Sequence, residues 1–342
     1  MKVKCIILMI LSGIANVANA ASVGFQQFTL VSEASRQVNA SIWYPTQETA
    51  PKEKIGENIA FIGTTVVKNA SLSTMKQPLV LLSHGYRGNW RNLNWLATAL
   101  AEQGMIVAAV DHPGTTSFDQ SAFSASKWWL RANDLVRLLD VLLADTKWQA
   151  IIDQAEISVV GHSLGGWSAM HLIGAQFDRS VFFEQCREYN NPRTCGLGEE
   201  LGLNEPQPDE PNQVALLDKR ITKAIILDLG LARSLSVTSL NKIEVPTLIL
   251  AAGVDIGDLP QVLESGYLAE HMPISTRRYK VYEKAAHFSF IQLCKAQANL
   301  ILEQEHAGDS IICRDGADTT REQLHQIMFR DIYRFLTQPF NR

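Results

Sequence analysis

The chain has 342 residues and a formal net charge of −4, with 46% hydrophobic and 19% charged residues. That composition belongs to folded globular proteins and excludes disordered, fibrous and collagen-like chains. The mild acidity provides no electrostatic footprint for nucleic acid or an anionic membrane, so a small neutral molecule is the expected partner.

At the start, Lys2 and Lys4 precede an apolar run at 5–14 and the small-residue site Ala18-Asn19-Ala20. This is the three-part pattern of a cleavable export signal, expected over 1–20, with the mature chain beginning near Ala21 and destined for the periplasm or the outside. No later segment reaches the roughly 20 apolar residues of a spanning helix, so no integral membrane segment is expected in the mature chain.

Beyond the signal, short apolar runs alternate with helical stretches. Strands are expected at 25–31, 38–44, 78–83, 105–110, 157–160, 223–228, 246–251 and 277–282. The early pair alternates apolar and polar residues, as half-exposed edge strands do. The later runs are nearly continuous Val, Leu and Ile, as in parallel strands buried on both faces. The irregular stretch 50–73 is expected to lack strands. Helical spacing over 92–103 ends at Gly104, a helix stop. A second helix at about 127–143 places Leu135, Leu138, Leu139 and Leu142 on one apolar face. The pair Trp128-Trp129 just before them is expected to be ordinary packing.

The run Ile157 to Trp167 leads an apolar strand straight into Gly161-His162-Ser163-Leu164-Gly165 and then into helix-compatible sequence. A serine on so tight a strand-to-helix turn is forced into strained backbone angles, and its flanking glycines let strand and helix approach. Ser163 is thereby the expected nucleophile. The helix beginning at Leu164 offers a backbone N–H where negative charge develops.

After this helix, Gly196 to Gln213 is rich in Gly, Pro, Glu and Asn, and a plain exposed loop is expected there in preference to a lid or pocket wall. With Cys5 removed along with the signal, Cys186, Cys195, Cys294 and Cys313 remain, an even number in an oxidising compartment. Sequence proximity pairs Cys186 with Cys195 and Cys294 with Cys313. Metal-binding spacing is absent, and neither a metal nor a cofactor is expected.

These motifs are shared with the α/β hydrolases, which the chain resembles. It is more narrowly similar to bacterial dienelactone-hydrolase-like proteins related to the platelet-activating-factor acetylhydrolases, through Ser83-His84-Gly85, Asp111-His112-Pro113-Gly114, Arg131 with Asp134, Gly161 to Gly166, and His287-Phe288-Ser289-Phe290 followed by Cys294. The resemblance implies an α/β class and the α/β-hydrolase fold: a mostly parallel eight-stranded sheet with helices on both faces. It implies one domain over 21–342 with an insertion at about 178–218 after the nucleophile helix. It also implies hydrolysis of short acyl or lipid esters.

In this fold the order is nucleophile, acid, histidine, and the second oxyanion donor follows the third strand. The Tyr86 N–H is therefore expected to join that of Leu164, with His84 merely orienting the loop. Among the late histidines His271, His287, His306 and His325, His287 follows the last strand and is the expected base. His325, on the last helix, is expected at the surface or in packing. The acid is left between Asp255, favoured because it follows the strand before the histidine's, and Asp228, with Asp258 a third option. The acetylhydrolase branch implies the position of Asp228. An amidase or peptidase with the same triad, and a phospholipase at a lipid interface, stand as alternatives to a simple esterase.

Overall fold

The computed structural model describes residues 22–30, 36–210 and 216–340; the expected signal at 1–20 lies outside them. Strands β1 (Ser22–Leu30), β2 (Val38–Thr46), β3 (Glu53–Ile55), β4 (Thr64–Lys68), β5 (Gln77–Ser83), β6 (Ile106–Asp111), β7 (Ile152–His162), β8 (Ile221–Leu227), β9 (Thr247–Val254) and β10 (Arg277–Ala286) form a single sheet. Their order is β10-β9-β8-β7-β5-β6-β2-β1-β4-β3. From β10 through β6 every neighbouring pair is parallel. The hairpin of β1 and β2 joins that block antiparallel through β6.

Among the described residues the sheet has ten strands where eight were expected. The additional pair, β3 and β4, comes from the stretch read as irregular: β3 has three residues, and β4 meets β1 only at Val67 and Lys68. So short a pairing carries no periodicity to detect.

Side-chain alternation explains why the central strands read as unbroken apolar runs. Leu79, Leu81, Ile157 and Val159 enter one core with the helices Leu130–Ala144 and Leu164–Leu172. Val80, Leu82 and Val160 enter the other, with the helices Asn94–Glu102 and Arg321–Thr337. Both faces are covered, as a parallel sheet requires. Leu135, Leu138, Leu139 and Leu142 are all fully buried. Gly104, at φ 92°, ends the helix Asn94–Glu102 in the left-handed conformation.

Strands β5 and β7 are neighbours, yet the helix after β5 packs on one face and the helix after β7 on the other. The chain therefore parts at the C-terminal ends of these strands and leaves a crevice, the usual ligand position in open α/β sheets.

The insertion differs from expectation. It holds two helices, Arg179–Glu188 and Pro192–Glu200, capped by Asp178 and Asn191 and joined by the Cys186–Cys195 disulfide. Leu201 and Leu203 are fully buried. Gly198, read as a loop signal, is a packing glycine, since a Cβ there would collide with the Phe182 ring. Within the insertion, residues 211–215 lie outside the described residues. The Cys294–Cys313 disulfide also forms. Trp128 and Trp129 are buried, and Trp128 packs edge-on against Trp167 and Phe177.

Candidate active site

Ser163 has φ 54° and ψ −123°, a conformation that costs a non-glycine residue about 1–3 kcal/mol and persists only where its surroundings enforce it. Those surroundings are the glycines. A Cβ on Gly161 would collide with the Gly165 carbonyl, and one on Gly165 with the Ser83 carbonyl. The turn is pinned by the Ser163 N–H donating to Leu227 O at 3.0 Å. The hydroxyl is thereby lifted off the end of β7 into the crevice.

His287 opens the short helix His287–Phe290 directly after β10. Its Nε2 lies 3.0 Å from Ser163 Oγ and its Nδ1 2.7 Å from Asp228 Oδ2. An Nδ1–H donating to the carboxylate leaves the Nε2 lone pair free for the serine proton. Asp228, just past β8, has φ 41° and is itself held. Its N–H donates to Leu250 O at 2.7 Å, and its Oδ1 accepts the Ala252 N–H at 2.7 Å. Both contacts come from β9, and together they aim Oδ2 at the imidazole.

Asp255, preferred from the sequence, is not at the imidazole. It is exposed, and its Oδ1 accepts the Leu259 N–H at 3.0 Å within its own turn. Asp258 is exposed in the same turn. Register sets the difference: Leu227 at the end of β8 pairs with Leu250, and β9 runs on to Val254, so its turn carries Asp255 past the level of Asp228.

Beside Ser163, Leu164 is the first residue of the helix, where backbone N–H groups have no intrahelical acceptor. Gly85 brings its loop against Ser163, since a Cβ there would stand 3.1 Å from Ser163 Cβ. Tyr86 follows it. The Tyr86 hydroxyl donates to Glu200 at 2.5 Å, and Arg87 pairs with the same carboxylate at 3.2 Å, so the insertion grips this loop from above.

Beneath the loop lies a buried polar network. His84 donates from Nδ1 to Gly85 O at 2.7 Å and accepts the His112 N–H on Nε2 at 3.0 Å; burial holds it well below the usual histidine range, hence neutral. His112 bridges Ser83 Oγ, at 2.9 Å, and Asp134, at 3.1 Å. Arg131, whose pKa burial lowers to about 9, reaches the His84 carbonyl and Thr115, and donates to Ser168 Oγ at 2.9 Å. One guanidinium thus ties the loop after β5 to the helix that follows Ser163.

His162, the variable residue of the serine motif, was overlooked from the sequence. Its Nε2–H donates to the His287 carbonyl at 2.9 Å and its ring lies 4.7 Å from the His287 ring, so it fixes the backbone of His287. Burial holds it neutral as well. Glu264 was likewise overlooked. Completely buried, it accepts from Thr194 Oγ1 at 2.6 Å and from the Ala232 N–H at 2.7 Å, joining the insertion to the segment after β8. His325 is buried, stacked 3.6 Å from Trp95.

Ser163, His287 and His162 open onto a cavity of about 800 Å³. Gly85, Tyr86 and Arg87 line it on one side, and Arg193, Thr194, Leu197 and Glu200 of the insertion on another. The insertion is therefore a pocket wall rather than a plain exposed loop. Among the described residues, no group of three or more His, Cys, Asp or Glu side chains could hold a metal ion, and no helix is long and apolar enough to cross a membrane.

Comparison with known proteins follows the same lines. A family model described as serine aminopeptidase, S33, matches residues 74–181, the segment from β5 through the nucleophile helix. Cutinase est2 of Thermobifida alba is 31% identical over 102 residues, 29% of this chain and 31% of the cutinase. Cutinase cut1 of Thermobifida fusca is 30% identical over 101 residues, 29% of each chain. These matches span about a third of the length of those relatives. A solved ferulic acid esterase from Streptomyces cinnamoneus superposes with a TM-score of 0.62 at 19% identity, covering 94% of this chain and 91% of that one. The chain has the α/β-hydrolase fold.

Proposed function

We propose that this chain is an exported serine hydrolase that cleaves carboxylic esters through Ser163, His287 and Asp228. The observation that carries the reading is the line of hydrogen bonds from Ser163 Oγ to His287 Nε2 and from His287 Nδ1 to Asp228 Oδ2, with the serine facing the cavity. The cutinase and ferulic acid esterase names among the similar proteins support an ester as substrate. Asp228 at the end of β8 also matches the position implied by the acetylhydrolase branch.

In the first half-reaction His287 Nε2 takes the serine proton as Oγ bonds to the ester carbonyl carbon. The carbonyl oxygen gains the charge, under the N–H groups of Tyr86 and Leu164. The tetrahedral adduct collapses, the C–O bond to the alcohol breaks, and His287 returns the proton to the departing oxygen. Water then repeats the sequence on the acyl-serine, releasing the acid and restoring the hydroxyl. Asp228 keeps the imidazole in the required tautomer and offsets its transient positive charge.

The test is steady-state turnover of short para-nitrophenyl esters beside matched anilides. Ester turnover is expected to dominate, and Ser163→Ala or His287→Ala is expected to lower kcat by roughly a thousandfold or more with the fold intact. Near-normal rates in either variant contradict the assignment. Faster anilide cleavage would favour the peptidase reading that the family model's description suggests. Export is part of the proposal, supported by the Cys186–Cys195 and Cys294–Cys313 disulfides, which persist in oxidising compartments. A secreted chain starting near Ala21 would agree with it.

A further inference from the structure

Gly161, Gly165 and Gly230 all stand close to Ser163, and the first two have an evident reason to be glycine. Gly161 and Gly165 lie where any Cβ collides with backbone. Gly230, two residues beyond Asp228, has neither of the usual reasons. Its φ lies outside the left-handed region, and a Cβ there would touch nothing nearer than Ser163 Oγ and Leu259 Cδ2, both at 3.9 Å. That is ordinary van der Waals contact, so the fold would accept a side chain. The space such a side chain would fill belongs to the cavity, beside the hydroxyl that attacks.

We infer that Gly230 is the specificity-determining residue for the acyl group: its missing side chain leaves the slot in which acyl chains larger than acetyl lie during attack. This rests on the esterase reading above. The side of the scissile bond follows from the chemistry. His287 must return a proton to the departing alcohol oxygen, so the alcohol lies toward His287 and its neighbours Phe288 and Ile291. The acyl chain leaves the carbonyl carbon on another side, and the proposal lays it against Gly230, whose Cβ position is 3.9 Å from Ser163 Oγ, and Leu259, both of which line the cavity. Neither position carries a charged side chain, and an apolar chain gains by leaving water against them.

The direct test is a pair of substrate series on the folded protein and its Gly230→Ala and Gly230→Val variants. In the first series the alcohol is fixed as para-nitrophenol and the acyl chain grows from acetyl to hexanoyl. In the second the acyl group is acetyl and the alcohol grows from ethyl to hexyl. For Gly230→Val the hexanoyl-to-acetyl ratio of kcat/KM is expected to fall by about tenfold or more, the scale by which a hydrophobic pocket senses a change of one or a few carbon atoms. Gly230→Ala should show a smaller fall in the same direction. The hexyl-to-ethyl ratio is expected to stay within about twofold of the parent's, because the alcohol side is untouched.

An unchanged acyl ratio overturns the inference, as does a fall confined to the alcohol series. Ser163→Ala, assayed in parallel, separates the two levels. If parent turnover depends on Ser163 and the acyl ratio does not move, only the role of Gly230 falls. If ester turnover does not depend on Ser163, both readings fall.

Discussion

At the residue scale the site is set by backbone positions more than by side-chain identity. Ser163 is strained because two glycines allow it, and Asp228 is aimed by two contacts to β9. The acid gives the sharpest contrast. Asp228→Asn keeps the side chain's size but replaces an acceptor with an amide that no longer stabilises the charged imidazole or enforces its tautomer. It is expected to lower kcat by roughly a thousandfold. Asp255→Asn, in an exposed turn away from the ring, is expected to stay within about twofold of the parent. Comparison of kcat for the two variants checks this, and a larger loss from Asp255→Asn would reverse the assignment. From the sequence, the meeting of Ser163 and His287 was legible because the motif and the end of the last strand set where each of them lies. The choice of acid was not, because two aspartates follow successive strands and the relative heights of strand ends depend on sheet register.

At the element scale the insertion is coupled to the site through Glu264 at the start of the helix Ser265–His271. Its carboxyl holds the insertion through Thr194 and the segment after Gly230 through Ala232. Burial raises its pKa from 4.5 to about 7 in the folded protein. The unfolded chain releases this proton near 4.5 and the folded chain only near 7. Stability from this group is therefore greatest at low pH, declines as pH rises through that window and is level above it. In Glu264→Gln the amide oxygen can still accept from Ala232 while the Thr194 hydroxyl turns to accept from the amide. The unfolding free energy of the parent relative to Glu264→Gln is accordingly expected to fall between pH 4.5 and 7, as measured by urea unfolding across that range. A pH-independent difference, or one that rises, contradicts the coupling. The insertion was the least legible element in the sequence. Its Gly, Pro and Glu content reads as loop, whereas Pro192 opens a helix, Gly198 lies against a ring, and Leu201 and Leu203 are buried by tertiary contacts that no local pattern records.

At the scale of the whole molecule, the central sheet was legible because burial on both faces leaves unbroken apolar runs, while β3 and β4 were too short to leave any pattern. The disulfides pin the two segments flanking the crevice: Cys186–Cys195 ties the pocket-wall helices, and Cys294–Cys313 the segment after His287. Each closes a short loop, worth about 3 kcal/mol by chain entropy. The parallel block, the crevice between β5 and β7 and the two braced flanks together hold a hydroxyl, an imidazole and a carboxylate in line. The claim that this line is the reactive centre is tested most directly by treating the folded protein with a fluorophosphonate and mapping the adduct by peptide mass spectrometry. One adduct is expected, on Ser163, formed far more slowly in His287→Ala. An adduct on another residue, or ester hydrolysis that persists after Ser163 is fully modified, would contradict the account.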